Sequence, residues 1–191
     1  MKKVGVLSLQ GSFAEHLKAI NSLGAPYQGL AVKTREEINQ VDYLIIPGGE
    51  STTLSKLLKE GGQGEVIRKR VAMGMPVWGT CAGMILLGSD GEELVDSLKL
   101  IPIKVKRNAF GSQLDSFNTK SVIEKVSAQP VSLTFIRAPI IEEAGEDVEI
   151  LLKLDEKVVA ARKDNILVTS FHPELTGEKK IYEYFLNFKT P

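Results

Sequence analysis

The sequence predicts an α/β fold. The expectation is a single three-layer domain over residues 1–191, with a mostly parallel central sheet flanked by helices and antiparallel strands added to it. Three observations carry that prediction. Strand and helix patterns alternate through the first half, as parallel βαβ units require. Runs such as "YLII" at 43–46 are apolar at every position, which suits strands covered on both faces. The region from 99 to 171 is instead rich in strand patterns without intervening helices, which accounts for the antiparallel addition.

Each element follows in order. "KVGVLSL" at 3–9 is a short β-branched strand ending in "QGS". Ser12 with Glu15 has the capping-box spacing, so a helix is expected over about 12–23, stopped by Gly24. "PYQGLAV" reads as a second strand, and Thr34 with Glu37 caps a short helix. "DYLIIPGGEST" at 42–52 is a buried strand running into a glycine turn, with Ser51 or Thr52 as the expected N-cap of the next helix. "LSKLLKE" and "GEVIRKRVAMG" read as helices, and "PVWGTCAGMILLG" at 76–88 is strand, turn and helix again. "GSDGEELVDSL" reads as a polar loop. The strands "LKLIPIKVK", "VSLTFIR", "KVVAAR" and "NILVTSF" follow, then an amphipathic helix, "GEKKIYEYFLNF". No repeat, linker or low-complexity segment interrupts the chain.

Composition narrows the function classes. The 191 residues suffice to bury roughly 70% of the unfolded surface. Lys plus Arg and Asp plus Glu are 24 each, so the net charge is zero, and a general nucleic-acid binder, which needs a basic face, is not expected. The single cysteine excludes an internal disulfide framework and fits a reducing compartment. The apolar run in "MKKVGVLSLQGS" is too short for a signal peptide, and no stretch approaches the ~20 apolar residues of a membrane span. The expectation is a cytoplasmic protein with no membrane association. No cluster has metal-ligand spacing, so neither a metal nor a cofactor is expected.

In open α/β sheets, ligands bind at the carboxyl ends of the strands. Four turns there carry unusual chemistry: "LQGS", "PGGEST", "GTCAG" and "SFHPE". "GTCAG" at 79–83 has the G-x-nucleophile-x-G form of a nucleophile elbow. The helix that follows favours thiolate at Cys81 and leaves the Ala82 N–H free for a developing oxyanion. A buried structural cysteine beside helix-packing glycines fits the same pentapeptide. A thiol nucleophile needs a base. His16 lies inside the first helix and is expected to face solvent or a partner. His172 follows the strand "NILVTSF", and Glu174, two residues on, can fold back to orient its imidazole. In "PGGEST" the consecutive glycines can turn their N–H groups toward an oxyanion or a carboxylate. Together the turns suggest a Cys-His-Glu acyl-group hydrolase.

The segments "GVLSLQGSFAEH", "DYLIIPGGESTT", "PVWGTCAGMILL", "RNAFGSQLDSF", "FIRAPI" and "SFHPELT" span positions 5–176. Through them the chain resembles the class I (triad) glutamine amidotransferases, and within these the glutaminase subunits of pyridoxal 5′-phosphate synthases. "GTCAG" and "HPE" are shared across the superfamily, whereas "PGGEST", "RNAFGSQ" and "FIRAPI" narrow it. The resemblance implies that Cys81 attacks the side-chain amide of L-glutamine and that His172, oriented by Glu174, moves the protons. It implies an oxyanion hole from the Gly49 and Ala82 N–H groups, and L-glutamine binding by Gly49, Glu50, Ser51, Arg107, Ile136 and Arg137. Arginines suit an α-carboxylate, although a surface or structural ion pair would also place either one.

The resemblance further implies a partner. Ammonia released into neutral water becomes ammonium, which is no nucleophile, and the chain shows no synthase domain of its own. A separate synthase subunit in a large hetero-oligomer is expected, with glutaminase turnover weak until it docks. Docking is expected to order the "PGGEST" turn, because the Gly48–Gly49 peptide can flip cheaply. The rivals are an amidotransferase subunit of another pathway, such as imidazole glycerol phosphate synthesis, a cysteine peptidase or chaperone-like relative with the same elbow, and a non-catalytic glutamine-binding regulatory module.

Overall fold

The computed structural model describes residues 1–110 and 116–191. Residues 111–115, the "GSQLD" of "RNAFGSQLDSF", lie outside the described residues. Strand and helix alternate as far as the nucleophile segment: β1 (Lys2–Leu7), α1 (Phe13–Asn21), β2 (Tyr27–Val32), α2 (Arg35–Asn39), β3 (Tyr43–Ile46), α3 (Ser51–Gly61), α4 (Gln63–Ala72), β4 (Val77–Thr80) and α5 (Ala82–Leu87). The rest is mostly strand: β5 (Ser89–Asp90), β6 (Ile103–Lys106), β7 (Ser116–Ile123), β8 (Ser127–Ile136), β9 (Ile140–Ala144), β10 (Glu149–Leu154), β11 (Lys157–Lys163) and β12 (Ile166–Thr169). A 3-10 turn over Pro173–Leu175 and α6 (Lys180–Leu186) follow.

Among the described residues the main sheet has the order β2-β1-β3-β4-β12-β11-β9-β6-β5, with β10 on β11, and β7 and β8 form a separate ribbon. Strands β2, β1, β3, β4 and β12 run parallel. Beyond β12 the pairings to β11, β9 and β6 are antiparallel. This is the expected α/β sheet with antiparallel additions. β5 lies inside the segment expected to be loop; there the buried Asp90 side chain accepts from the Glu92 and Leu94 N–H groups.

Strands β3, β4 and β12 are buried at every position, which explains apolar runs such as that of β3. In β3, Leu44 and Ile46 point into one hydrophobic layer with Leu54, Val77 and Met84. Tyr43 and Ile45 point the other way, into a layer with Trp78, Phe171, Tyr182 and Phe185. Trp78 is the hub of this second layer. Its ring meets Tyr182 edge-on at 5.1 Å and Phe185 at 5.5 Å, and its indole N–H donates to Thr169 Oγ1 at 3.0 Å. That last bond ties β4 to β12 through side chains as well as backbone. Among the described residues no helix is long and apolar enough to cross a membrane.

Three local expectations are corrected. The capping box at Thr34–Glu37 forms, but the one at Ser12–Glu15 does not. Ser12 occupies the N-cap position of α1 without capping it, because its hydroxyl donates to Glu174 Oε1 at 2.7 Å. The N-cap of α3 is Glu50, not Ser51 or Thr52. His16 does not face solvent: it is fully buried on the inner side of α1, four residues before the equally buried Ile20.

Trp78→Ala removes the largest fully buried side chain of this layer. We expect a loss of about 3–5 kcal/mol in stability, measured by urea unfolding followed by far-UV circular dichroism.

Candidate active site

Cys81 stands alone between β4 and α5 with φ 49° and ψ −104°, a sparsely populated positive-φ conformation that costs a non-glycine residue about 1–3 kcal/mol. The flanking glycines make that turn possible. A Cβ on Gly79 would lie 2.4 Å from the Gly83 carbonyl oxygen, and one on Gly83 would lie 2.1 Å from the Ile46 oxygen. The Cys81 N–H donates to Thr169 O at 2.8 Å, so the elbow is pinned to the end of β12. Ala82 opens α5, and its N–H has no acceptor within that helix.

His172 arrives from the neighbouring strand. Its backbone N–H donates to Thr134 O at 2.8 Å, which fixes the chain after Phe171. Pro173 starts the 3-10 turn and swings Glu174 back, leaving His172 Nδ1 2.8 Å from Glu174 Oε1. The imidazole, the thiol and the Gly48 backbone share one small space. A Cβ on Gly48 would lie 2.5 Å from His172 Cε1 and 3.3 Å from Cys81 Cβ. His172 Nε2 is buried and has no hydrogen-bond partner of ordinary geometry among the described residues. The thiol is nonetheless close enough to raise the basicity of the ring. Burial alone would push the imidazole down, but its contacts with Cys81 and Glu174 outweigh burial and take it up to about 10. Burial likewise favours the neutral carboxyl of Glu174, and it is overcome by His16, His172 and Ser12, so the group is held below the ordinary carboxylate range.

These groups open onto a cavity of about 290 Å³. Cys81, Ala82, His172, Gly49, Glu50, Ser51, Arg107, Ile136 and Arg137 all line it, so the fold brings together every predicted site residue except Glu174, which stands behind His172. Arg107 Nη1 donates to Ser51 Oγ at 3.3 Å, and its Nη2 lies 3.6 Å from Glu92 Oε2. Its buried Nε has no partner among the described residues. Arg137 is exposed at φ 44°. The carbonyl of Ile136 faces the thiol, with Cys81 Sγ 3.9 Å away. Glu50 lines the cavity, yet its carboxylate is committed to the α3 N-terminus, accepting from Thr52 Oγ1 and, at 2.8 Å, from the Thr53 N–H. Among the described residues no group of three or more His, Cys, Asp or Glu side chains is placed to hold a metal ion.

Two contributors were not read from the sequence. Gln10, in the "LQGS" turn, accepts the Glu50 N–H at 3.0 Å and braces the glycine turn. His16 approaches the far oxygen of Glu174, with Nε2 3.4 Å from Oε2, and contacts Thr80 Oγ1 at 3.3 Å and Tyr182 OH at 2.7 Å. The i, i+4 pairing of His16 with Ile20 was the available signal for its burial.

The Glu50 cap has a pH signature. Hydrogen bonds from the Thr52 side chain and the Thr53 backbone lower its carboxyl to about 2 from an ordinary 4.5. Its contribution is therefore present above pH 4.5 and lost as pH falls toward 2. Glu50→Ala should cost about 1 kcal/mol at pH 7, and the gap from wild type should close in thermal melts at pH 2.

A model of the SNO glutamine amidotransferase family matches residues 6–189. The pyridoxal 5′-phosphate synthase subunit PdxT of Clostridium beijerinckii is 53% identical over 98% of both chains. The protein of the same name from Roseiflexus castenholzii is 47% identical over 96% of this chain and 98% of its own. Among solved structures, one titled as a crystal structure of glutamine amidotransferase superposes with a TM-score of 0.91 at 40% identity, covering 97% of each chain. The family match spans the elbow, the glycine turn and the His-Pro-Glu turn: the chain belongs to the SNO glutamine amidotransferase family.

Proposed function

We propose that this chain is the glutaminase subunit of a pyridoxal 5′-phosphate synthase, hydrolysing L-glutamine to L-glutamate and ammonia. The observation that carries the chemistry is the strained Cys81 elbow facing the His172–Glu174 pair across a cavity that Arg107 lines. The relatives' shared name supplies the pathway. In this reading the Arg107 guanidinium takes the α-carboxylate of glutamine, a planar fork meeting a planar anion. Arg137, Ile136, Gly49, Glu50 and Ser51 line the same cavity, with Ser51 hydrogen-bonded to Arg107.

With its proton on His172 Nε2, Cys81 attacks the amide carbon, whose oxygen becomes negative toward the N–H groups of Ala82 and Gly49. The carbon–nitrogen bond breaks as His172 returns the proton to the departing nitrogen. Ammonia leaves, and a γ-glutamyl thioester remains on Cys81. Water then attacks the thioester, giving one proton to His172. The carbon–sulfur bond breaks, glutamate departs, and the starting proton arrangement is restored. Glu174 holds the imidazole through Nδ1, so that Nε2 is the nitrogen that exchanges protons. An amidotransferase of another pathway is disfavoured by the names of the full-length relatives. A regulatory module would have no need of the strain at Cys81.

Ammonia must reach its acceptor before it is protonated in bulk water, so the site is read as working against a docked synthase subunit, in a large hetero-oligomer in the cytoplasm. Docking acts on the Gly48–Gly49 turn. In the structure Gly48 O accepts from the Ser12 N–H at 3.1 Å, a bond that a flip of the Gly48–Gly49 peptide would break.

A glutamate-release assay with the synthase subunit present should find that Cys81→Ala and His172→Asn each lose at least ~10³ of the rate. Normal turnover in Cys81→Ala would remove the assignment. The same assay on the isolated chain should be much slower than on the complex; equal rates would dismiss activation by docking.

A further inference from the structure

We propose that His16, oriented by Tyr182, is a positioning residue for the glutaminase site: its Nε2–H holds the outer oxygen of Glu174 so that the inner oxygen faces His172. The proposal rests on the glutaminase reading above. His16 makes no contact with the thiol in the structure and would act only through Glu174.

The hydrogen-bond inventory supports one proton arrangement. Glu174 as a carboxylate only accepts. Its Oε1 is already engaged by His172 Nδ1 at 2.8 Å and by the Ser12 hydroxyl at 2.7 Å. Its Oε2 is buried with no hydrogen-bond partner of ordinary geometry among the described residues, and His16 Nε2 lies 3.4 Å from it. If His16 carried its proton on Nδ1, a ring lone pair would face the carboxylate oxygen. With the proton on Nε2, the ring presents a donor to Glu174 Oε2 and Thr80 Oγ1, and Nδ1 is free to accept from the Tyr182 hydroxyl at 2.7 Å. Tyr182 is fully buried, so its O–H needs an acceptor, and Nδ1 is the one within reach among the described residues.

The surroundings keep the ring neutral. His16 is packed by Thr80 and the edge of Trp78 from β4, by Tyr182 from α6 and by Glu174 from the 3-10 turn, with Glu15 beside it on α1. Burial pushes the imidazole below its ordinary value. Glu174 opposes this, His172 adds to it, and Glu15 opposes it weakly. The ring therefore acts on Glu174 as a directed N–H dipole and not as a full positive charge. Burial also pushes the Tyr182 phenol up, keeping its proton in place as a donor. A neutral donor suits this position, because it steadies the carboxylate without cancelling the charge that His172 needs while it is protonated.

The test uses the full chain with its synthase subunit, glutamate release being scaled to active sites counted by iodoacetamide labelling of Cys81. His16→Phe, which keeps the ring and removes the donor, should lower kcat about 10- to 100-fold at nearly unchanged KM for glutamine, as loss of an outer hydrogen-bond partner does elsewhere. His16→Gln, whose amide nitrogen can take the place of Nε2, should keep kcat within about threefold of wild type. Tyr182→Phe removes only one hydroxyl, and a drop of more than threefold in kcat is expected. Should His16→Phe prove too unstable to assay, Tyr182→Phe decides alone. Wild-type kcat in His16→Phe or Tyr182→Phe, or equal losses in His16→Phe and His16→Gln, would overturn the positioning role. Those results would leave the glutaminase reading standing provided Cys81→Ala is inactive, whereas an active Cys81→Ala would sink the reading itself.

Discussion

The parallel pairing of β4 with β12 is the constraint on which the rest depends. Thr80 lies opposite Thr169 in that ladder, and the Cys81 N–H continues it to Thr169 O. Two segments far apart in the chain are thereby brought to the same edge of the sheet with their ends level. The turn after one strand carries the thiol, and the turn after the other carries the imidazole. Because both strands are buried on both faces, a one-residue slip would move Trp78 out of its aromatic layer and break the Trp78–Thr169 side-chain bond. The register that stabilises the core is thus the register that assembles the site.

Around that ladder two further turns converge, after β1 and after β3, and close backbone approaches set them and the elbow. Gly11 is at φ 92°, and a Cβ there would strike the Gly48 oxygen at 1.8 Å. Gly48 lies against His172 and Cys81, and Gly83 lies against Ile46. The glycines are therefore not merely flexible. They let neighbouring turns pack at distances that side chains would forbid. The strain at Cys81 is tolerated because the sheet on one side and α5 on the other hold its neighbours in place.

Charge in this site is arranged in depth. The cavity wall carries Arg107, whose buried Nε has no partner among the described residues, and Glu50, the cap of α3. Behind Cys81 the polar groups form a series, from His172 to Glu174 and then to the half-buried Ser12 and the buried His16, ending at Tyr182 on α6. Such a series is costly to bury unless each member has a partner. That requirement explains why the Ser12 hydroxyl serves Glu174 instead of capping its own helix.

What the sequence determined by itself was local: the alternation of elements, the apolar character of the parallel strands, the Thr34 cap, and the elbow and His-Pro-Glu turns, all of which depend on neighbours within a few positions. Cys81, His172 and Glu174 could be named because glycine spacing and strand ends carry their own signature. Tertiary structure decided whatever depended on partners distant in the chain. Ser12 has ideal capping spacing, yet its hydroxyl is turned to a carboxylate from beyond β12 and not to the N–H groups of its own helix. His16 reads as a helix-surface residue until α6 covers it. Glu50 became a cap because its side chain, not that of Ser51, meets the free N–H groups of α3, while Ser51 turns to Arg107. Short-range chemistry sets which conformations a segment can adopt, and burial against remote segments sets which hydrogen bond each polar group must finally make.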